Sequence, residues 1–280
     1  MGFIFSLMGL GLTLVYSIMR LVNFAYGEFY MFGGYALYYA SSLLGIPAIL
    51  ALPFAPLTGF CIAFVVERLL IRDTYTKKIE RPEEYALIIT FTLSIFFQNL
   101  ARELFGPFLR TPSSFLPGRV NFLNFVITWD RVMAVIMAIS AFALVYVFVK
   151  KTWIGRVWQA VAQNRPGALA LGVNIKRTNA LAFATSGMLA SLAGALLAPI
   201  FSTYSSVGTV PLIKGFLIIV IGGLGSIKGS LVGGLIVGLI DSIVSGFISP
   251  AYASTALYII MAGFLVIRPT GLLGGKVRRA

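Results

Sequence analysis

Residues 29–66 carry no charged side chain and read FYMFGGYALYYASSLLGIPAILALPFAPLTGFCIAFVV. A helix needs about 20 mainly apolar residues to cross a bilayer, so this stretch of 38 residues is long enough for two crossings. Gly45 and Pro47 interrupt it near the middle, and both residue types end helices. The stretch therefore predicts two membrane-spanning helices joined by a short turn.

The rest of the chain repeats this pattern. Further uncharged stretches occupy 2–19, 85–101, 132–149, 178–213, 215–227, 229–240 and 242–267. Pro250 divides the last of them, and Pro199, followed by a Ser/Thr-rich segment at 202–209, divides the run that begins at Thr178. The pattern predicts an all-α polytopic membrane protein of about nine transmembrane helices (8–10), forming a single transmembrane domain over residues 1–280.

The composition agrees with a membrane protein. Hydrophobic residues make up 59% of the 280 residues and charged residues 11%, with a mean hydropathy of +0.93. Soluble domains are roughly 45–50% apolar and about 25% charged. The first apolar segment has no basic leader and no small-residue cleavage site, so we expect it to be a first helix rather than a signal peptide.

Basic residues are distributed unequally between the loops. If the loops near Arg20 and Lys228, those at 67–84 and 150–177, and the C-terminus share one side, that side holds 17 Lys and Arg and the other holds five. The positive-inside rule places the richer side in the cytoplasm. We therefore expect an outside N-terminus, a cytoplasmic C-terminus, an extracytoplasmic loop at 103–130, and location in the plasma (inner) membrane.

The residue inventory excludes several function classes. Histidine is absent and Cys61 is the one cysteine, which removes histidine bases, histidine-ligated metals and internal disulfides. An intramembrane aspartyl protease needs two aspartates inside the membrane, whereas only Asp241 lies within a predicted span. The net charge of +13 follows the positive-inside pattern, so no nucleic-acid partner is expected. The sequence predicts no enzyme, no catalytic residues and no metal site.

Two polar positions interrupt the apolar pattern. Asn23, Tyr26 and Glu28 lie at the break between the first two predicted helices. Glu28 suits the positive end of the second helix as a cap, or these three residues line a translocation path or gate. Asp241 lies inside a later span, where ionisable groups usually face protein or water. It is either a path residue acting with Lys214 and Glu28 or a contact between helices.

The glycine-rich segment at 222–230, GGLGSIKGS, is similar to a phosphate-binding loop but fails its test. That loop needs Gly-Lys-Ser/Thr in succession, whereas here Lys228 precedes Gly229 and Ser230. Glycines recurring every four residues allow close helix packing instead. The predicted packing residues are Gly225, Gly229, Gly233, Gly234 and Gly238.

The loop at 150–177 has six basic residues and no acidic ones. Within it, Pro166 is suited to the first turn of a short helix that continues through Ala168 and Leu171, and Gly172 is suited to its end. A short helix of small residues between cations predicts a docking site for a soluble partner. The positive-inside rule alone also accounts for the cations, so that alternative stays open.

Four segments, taken in order, resemble the permeases of branched-chain amino acid ABC transporters, the type called LivH. They are the opening at 9–35 with NFAYGE at 23–28, the loop at 159–174, the glycine-rich segment at 219–234 and the tail at 268–274. Tyr26 stands where that family usually has histidine.

The resemblance implies a transport mechanism with several partners. A second, related permease subunit completes the pore, an extracytoplasmic binding protein delivers the substrate, and two ATPase subunits bind ATP and drive alternating access. The resemblance implies that they dock on a coupling loop at 150–177, through Arg165, Pro166, Ala168, Leu171 and Gly172. This chain itself binds no cofactor. The expected cargo is a branched-chain or related hydrophobic amino acid; an ABC permease for urea, short amides or sugars and an ion-coupled secondary transporter are the alternatives.

Overall fold

The computed structural model describes residues 1–76, 79–122, 125–268 and 270–274. These residues are predominantly helical. The α-helices are α1 (Gly2–Met19), α2 (Tyr26–Ser42), α3 (Ala48–Ala51), α4 (Phe54–Val66), α5 (Asp73–Thr76), α6 (Pro82–Phe105), α7 (Trp129–Lys151), α8 (Trp153–Gln163), α9 (Arg165–Ala170), α10 (Ile175–Phe201), α11 (Thr209–Gly222), α12 (Ile227–Phe247) and α13 (Pro250–Ile267).

Six helical segments of the described chain are long and apolar enough to cross a membrane. They are α1, the continuous segment Ala48–Ile71, α6, α7, α10 and α12. Two apolar helices are shorter, Thr209–Gly222 and Tyr252–Ile267, and α2 has 17 residues. The predicted breaks at Gly45 and Pro250 are present, and so is the break at the Ser/Thr-rich segment, because α10 ends at Phe201, two residues after Pro199, and α11 begins at Thr209.

The centre of the bundle is formed by α1 and α10, each of which buries 78% of its apolar span, against 28–33% for the other four spans. Small residues permit this close packing, because helices without bulky side chains can approach backbone to backbone. A Cβ atom at Gly194 would overlap the carbonyl oxygen of Tyr30 on α2, and one at Gly187 would overlap Ala63 on α4. The outer helices instead present large apolar side chains at the surface, such as Leu144 and Ile259.

The predicted loop at 103–130 contains regular structure. Strand β1 (Arg119–Phe122) pairs antiparallel with β2 (Phe125–Thr128), with Arg119 opposite Thr128. The sequence predicted an all-α protein, and the described chain is predominantly helical, with a short hairpin in this loop. Valine, isoleucine, threonine and phenylalanine, which dominate both strands, favour extended backbone. The helices also extend to Phe105 and begin again at Trp129, so the connection is shorter than predicted.

The charged segment at 67–84, whose balanced acidic and basic residues predict a solvated helix or loop, is largely helical over its described residues but partly buried. Glu67–Ile71 is a π-helical turn that continues α4, α5 follows it, and α6 begins at Pro82. Glu67 and Ile71 are fully buried. Burial of Glu67 is possible because its carboxylate accepts a hydrogen bond from the Tyr75 hydroxyl, and buried polar groups require such partners.

The elements meet at two ends of the bundle. At one end, Met19 of α1, Glu83 of α6 and Arg165 of α9 line a common cleft. At the other, the backbone N–H of Arg110 donates to the carbonyl oxygen of Thr203 at 2.8 Å, and the N–H of Thr203 donates to Arg110 at 2.7 Å. We call these the α9 end and the opposite end.

Candidate functional site

Helix α9 is a single short helix with defined limits. The Asn164 side chain accepts a hydrogen bond from the N–H of Gly167 at 3.0 Å, which caps the first turn. Gly172 follows the helix with a φ of 81°, a left-handed conformation that favours glycine. The N–H of Gly172 then donates to Leu169 at 2.9 Å and that of Val173 to Ala168 at 3.1 Å. The limits lie where Pro166 and Gly172 predicted them.

One side of α9 is anchored and the other is exposed. Ala168 is buried, whereas Leu169 is 62% exposed and Leu171 is 87% exposed. The helix packs on α8, whose Trp158 is buried against the ring of Phe148 on α7. Exposed leucines on a short helix within a basic segment are typical of a protein-binding surface. Arg165, Pro166, Leu171 and Gly172 all lie at or beside this surface.

A cleft of about 980 Å³ separates α9 from the ends of α1, α5 and α6. Arg165 lies over the ring of Tyr75 on α5, with its guanidinium carbon 5.7 Å from the ring centroid. Burial raises the pKa of the Tyr75 hydroxyl, and its hydrogen bond to Glu67 raises it further. Sequence reasoning singled out neither Tyr75 nor Glu67, because the segment had the balanced charge of a solvated surface.

Glu28 lies in the first turn of α2, where an acidic residue was expected, and it also forms a buried polar cluster with α6. Its Oε1 accepts hydrogen bonds from the Ser94 hydroxyl at 2.8 Å and the Gln98 amide at 2.9 Å. The residue is fully buried, and its Oε2 has no hydrogen-bond partner. Ser94 and Gln98 were not predicted, since neither stands out within an apolar helix.

Asn23 and Tyr26 fix the break between α1 and α2. The Asn23 Oδ1 accepts from the N–H of Ala25 at 3.0 Å, and the Tyr26 hydroxyl donates to the carbonyl oxygen of Met8 at 3.0 Å. Both side chains are buried, and the Asn23 Nδ2 has no partner. These contacts hold the start of α2 against the middle of α1.

Asp241 is paired with Lys214. The Lys214 Nζ lies 2.6 Å from the Asp241 Oδ1, which joins α11 to α12, and 4.8 Å from the centroid of the Phe5 ring on α1. Both charged side chains are largely buried. Asp241 and Glu28 have different hydrogen-bond partners and belong to separate polar clusters.

Four of the five predicted packing glycines lie on α12 and one does not. A Cβ atom added to any of the four would overlap a neighbouring helix. The residue met is Gly222 for Gly229, Ile218 (its carbonyl oxygen) for Gly233, Ser6 for Gly234 and Gly2 for Gly238. Gly225 lies in the turn before α12, with a φ of 85°. It therefore serves the turn rather than a helix face, because its backbone is in the left-handed region.

The apolar spans, the small-residue packing and the buried polar clusters define a multi-pass helical membrane protein, and comparison identifies its family. The family described as branched-chain amino acid transport system / permease component matches residues 1–267. The chain therefore belongs to that family of membrane permeases.

Curated relatives agree with this assignment. The chain is 30% identical to the high-affinity branched-chain amino acid transport system permease protein LivH of Salmonella typhimurium, over 98% of this chain and 92% of the relative. It is 28% identical to BraD of Pseudomonas aeruginosa, over 98% and 92%. It is 27% identical to the permease LivM of Escherichia coli, over 80% and 57%. No solved structure matches the chain significantly.

Proposed function

We propose that this chain is the pore-forming permease subunit of an ATP-driven importer for branched-chain or related hydrophobic amino acids. The family match and the printed names of the relatives support this cargo rather than urea, short amides, sugars or ion-coupled transport. Those relatives are named as permease components, which supports a transport role rather than an enzymatic one.

The arrangement of the ends supports nine crossings with an outside N-terminus. Met19, at the end of α1, lies at the α9 end, so α1 begins at the opposite end. After α13, the N–H of Leu272 donates to Ile221 at 2.9 Å, near the end of α11. The nearby carbonyl oxygen of Gly225 accepts from Ser17 of α1 at 3.1 Å. In this topology α2, α11 and α13 cross with the six longer spans, and the α9 end is cytoplasmic.

The observation that carries the proposal is the exposure of Leu171 and Leu169 on an anchored helix at the basic end of the bundle. Exposed apolar residues on a short helix within a basic segment support a protein partner at this place. No nucleotide-binding loop occurs in the chain, so we place ATP on separate ATPase subunits that dock on α9. Their closure moves α9 and exchanges outward and inward openings.

The remaining partners follow from the same family. The match to LivM, itself named a permease of a branched-chain system, supports a related second permease subunit. A binding protein outside the membrane would deliver the amino acid. We assign the Glu28 cluster and the Lys214–Asp241 pair to the moving parts of the translocation path, because each joins two helices through buried polar groups.

Copurification and reconstitution test this proposal. Leu171→Asp should lower the amount of ATPase subunit that copurifies with the permease and should abolish ATP-dependent uptake of leucine into liposomes. Leu109→Asp is the matched control, because Leu109 is 69% exposed at the opposite end. Equal retention of the ATPase in both variants would contradict docking on α9, and uptake driven by an ion gradient without ATP would contradict the transport mechanism.

A further inference from the structure

A series of side-chain contacts between three residues crosses the cleft beside α9. Arg165 at the start of α9 stacks over the Tyr75 ring of α5, and both residues line the cleft. The Tyr75 hydroxyl donates a hydrogen bond to the carboxylate of Glu67. These three residues therefore connect the exposed helix to the end of the Ala48–Ile71 span.

The last residue in this series, Glu67, begins a π-helical turn. The N–H of Arg72 donates to the carbonyl oxygen of Glu67 at 2.8 Å, which closes a turn of five residues rather than four. Such turns are rare and are frequent at functional sites, because the extra residue weakens the regular helical bonding. Glu67 is fully buried and its second oxygen has no partner.

The span beyond the π turn is firmly joined to the centre of the bundle. The Ser191 hydroxyl of α10 donates to the carbonyl oxygen of Ala55 on α4 at 2.8 Å. A Cβ atom on Gly59 of α4 would overlap Ser191 and the Gly187 carbonyl oxygen. A displacement of α4 therefore has to displace α10 as well, since no space separates the two backbones.

Tyr75 also interacts with the Arg72 side chain, but its contacts with Glu67 and Arg165 differ in their mechanical properties. A hydrogen bond to a carboxylate is directional and charge-assisted, so it fixes the ring to the π turn. A guanidinium above an aromatic ring is attracted over a broader range of positions, so Arg165 can slide and still pull on the ring. The cleft of about 980 Å³ gives α9 room for that movement.

We propose that Tyr75 is a positioning residue that transmits the displacement of α9, through Glu67 and the π turn, to the packed pair α4 and α10. We call Arg165, Tyr75 and Glu67 the relay. The relay rests on the proposed function, because it requires that an ATPase moves α9. It names a second connection between α9 and the bundle, in addition to the covalent one through α8 and α10.

The test separates transmission from structural support. The complete transporter, with its ATPase subunits and binding protein, is reconstituted in liposomes, and two quantities are measured: the ATP hydrolysed per leucine imported and the thermal midpoint of the complex. Tyr75→Phe and Glu67→Met each leave one polar group without its partner. We expect each to lower the midpoint, and we expect the double variant to recover part of the loss, because both partners of the hydrogen bond are then removed while the Arg72 charge stays.

The relay predicts a different outcome for the coupling of ATP hydrolysis to leucine import. All three variants should raise the ATP consumed per leucine by about threefold or more, within the range found for mutations in coupling networks, and the double variant should not recover. Arg165→Met should do the same with little change in the midpoint, because Arg165 is only half-buried. Tyr85→Phe, an exposed tyrosine on α6, is the matched control and should behave as wild type.

Each alternative result is decisive. If the double variant recovers both the midpoint and the wild-type ATP ratio, Tyr75 has a structural role only and the relay is wrong. If all variants couple normally in a complex that imports leucine with ATP, the relay fails while the proposed function stands. A wild-type complex without ATP-dependent uptake would overturn the proposed function, and the relay with it.

Discussion

Ser94 on α6 donates a hydrogen bond to the carboxylate of Glu28 on α2, with 2.8 Å between the two oxygens. Gln98, one turn later on α6, donates to the same carboxylate oxygen at 2.9 Å. One acidic side chain thus holds two helices together through two hydrogen bonds in an apolar setting, where such bonds lack competition from water.

Replacing Glu28 should therefore destabilise the protein. We expect Glu28→Ala to cost about 2 kcal/mol, because Ser94 and Gln98 lose their acceptor. Glu28→Gln, which keeps an acceptor oxygen, should cost less. Thermal unfolding in detergent measures both. Glu84→Ala is the control, since the exposed Arg81–Glu84 pair should contribute less than about 1 kcal/mol; equal losses at positions 28 and 84 would contradict the cluster.

Exchanging the two residues of the Lys214–Asp241 ion pair should preserve much of the stability that the pair provides. Lys214→Met or Asp241→Leu leaves a largely buried charge without its partner, which costs about 3 kcal/mol in comparable settings. The exchange Lys214→Asp with Asp241→Lys should restore a substantial part of that loss. Uptake and thermal stability of the three variants would show this, and an exchange as harmful as the single changes would exclude a direct pair.

Two glycines of α12 should respond oppositely to the same substitution. Gly246 has no atom within 4 Å of a built Cβ, so Gly246→Ala should stabilise the helix by up to about 1 kcal/mol. Gly229→Ala places a methyl group on the backbone of Gly222 and should destabilise by about 1–3 kcal/mol. The yield of monodisperse protein and its thermal midpoint distinguish the two. Similar behaviour would show that α11 and α12 are not in backbone contact.

Gly172→Trp should uncouple ATP hydrolysis from uptake without preventing membrane insertion. Gly172 has a positive φ but no neighbouring atom within 4 Å, so the cost is local backbone strain of about 1–2 kcal/mol. Gly45→Trp is a matched control, because Gly45 also has a positive φ and open surroundings, in the turn after α2. Unchanged uptake with Gly172→Trp, or equal loss with Gly45→Trp, would remove the assignment of α9.

The features that could be predicted from the sequence are those encoded locally. The charge-free stretches predicted the helices. The breaks between them were predicted from Gly45, Pro47 and Pro250, because proline and glycine disfavour helical backbone at their own positions. Pro166 and Gly172 likewise located α9. The Ser/Thr-rich segment also located the break after α10, which ends at Phe201, half a turn past Pro199.

The features that could not be predicted depend on contacts between distant segments. Glu28 and Ser94 are 66 residues apart, and Lys214 and Asp241 are 27 apart. Glu67 was assigned to a solvated helix or loop because its neighbours are charged, and its hydrogen bond with Tyr75 helps to make its burial possible. Gly225 continued the four-residue spacing of α12 in the sequence, but the helix starts after it.

The close approach of α1, α2, α10 and α12 has a consequence for how this protein can diverge. Where two backbones are in contact, nearly every substitution adds atoms that overlap the neighbouring helix. We therefore expect few substitutions at those positions to be neutral. Variation among related chains should then concentrate in the bulky outward side chains of α4, α6 and α7, whose replacement leaves the packed centre of the molecule unchanged.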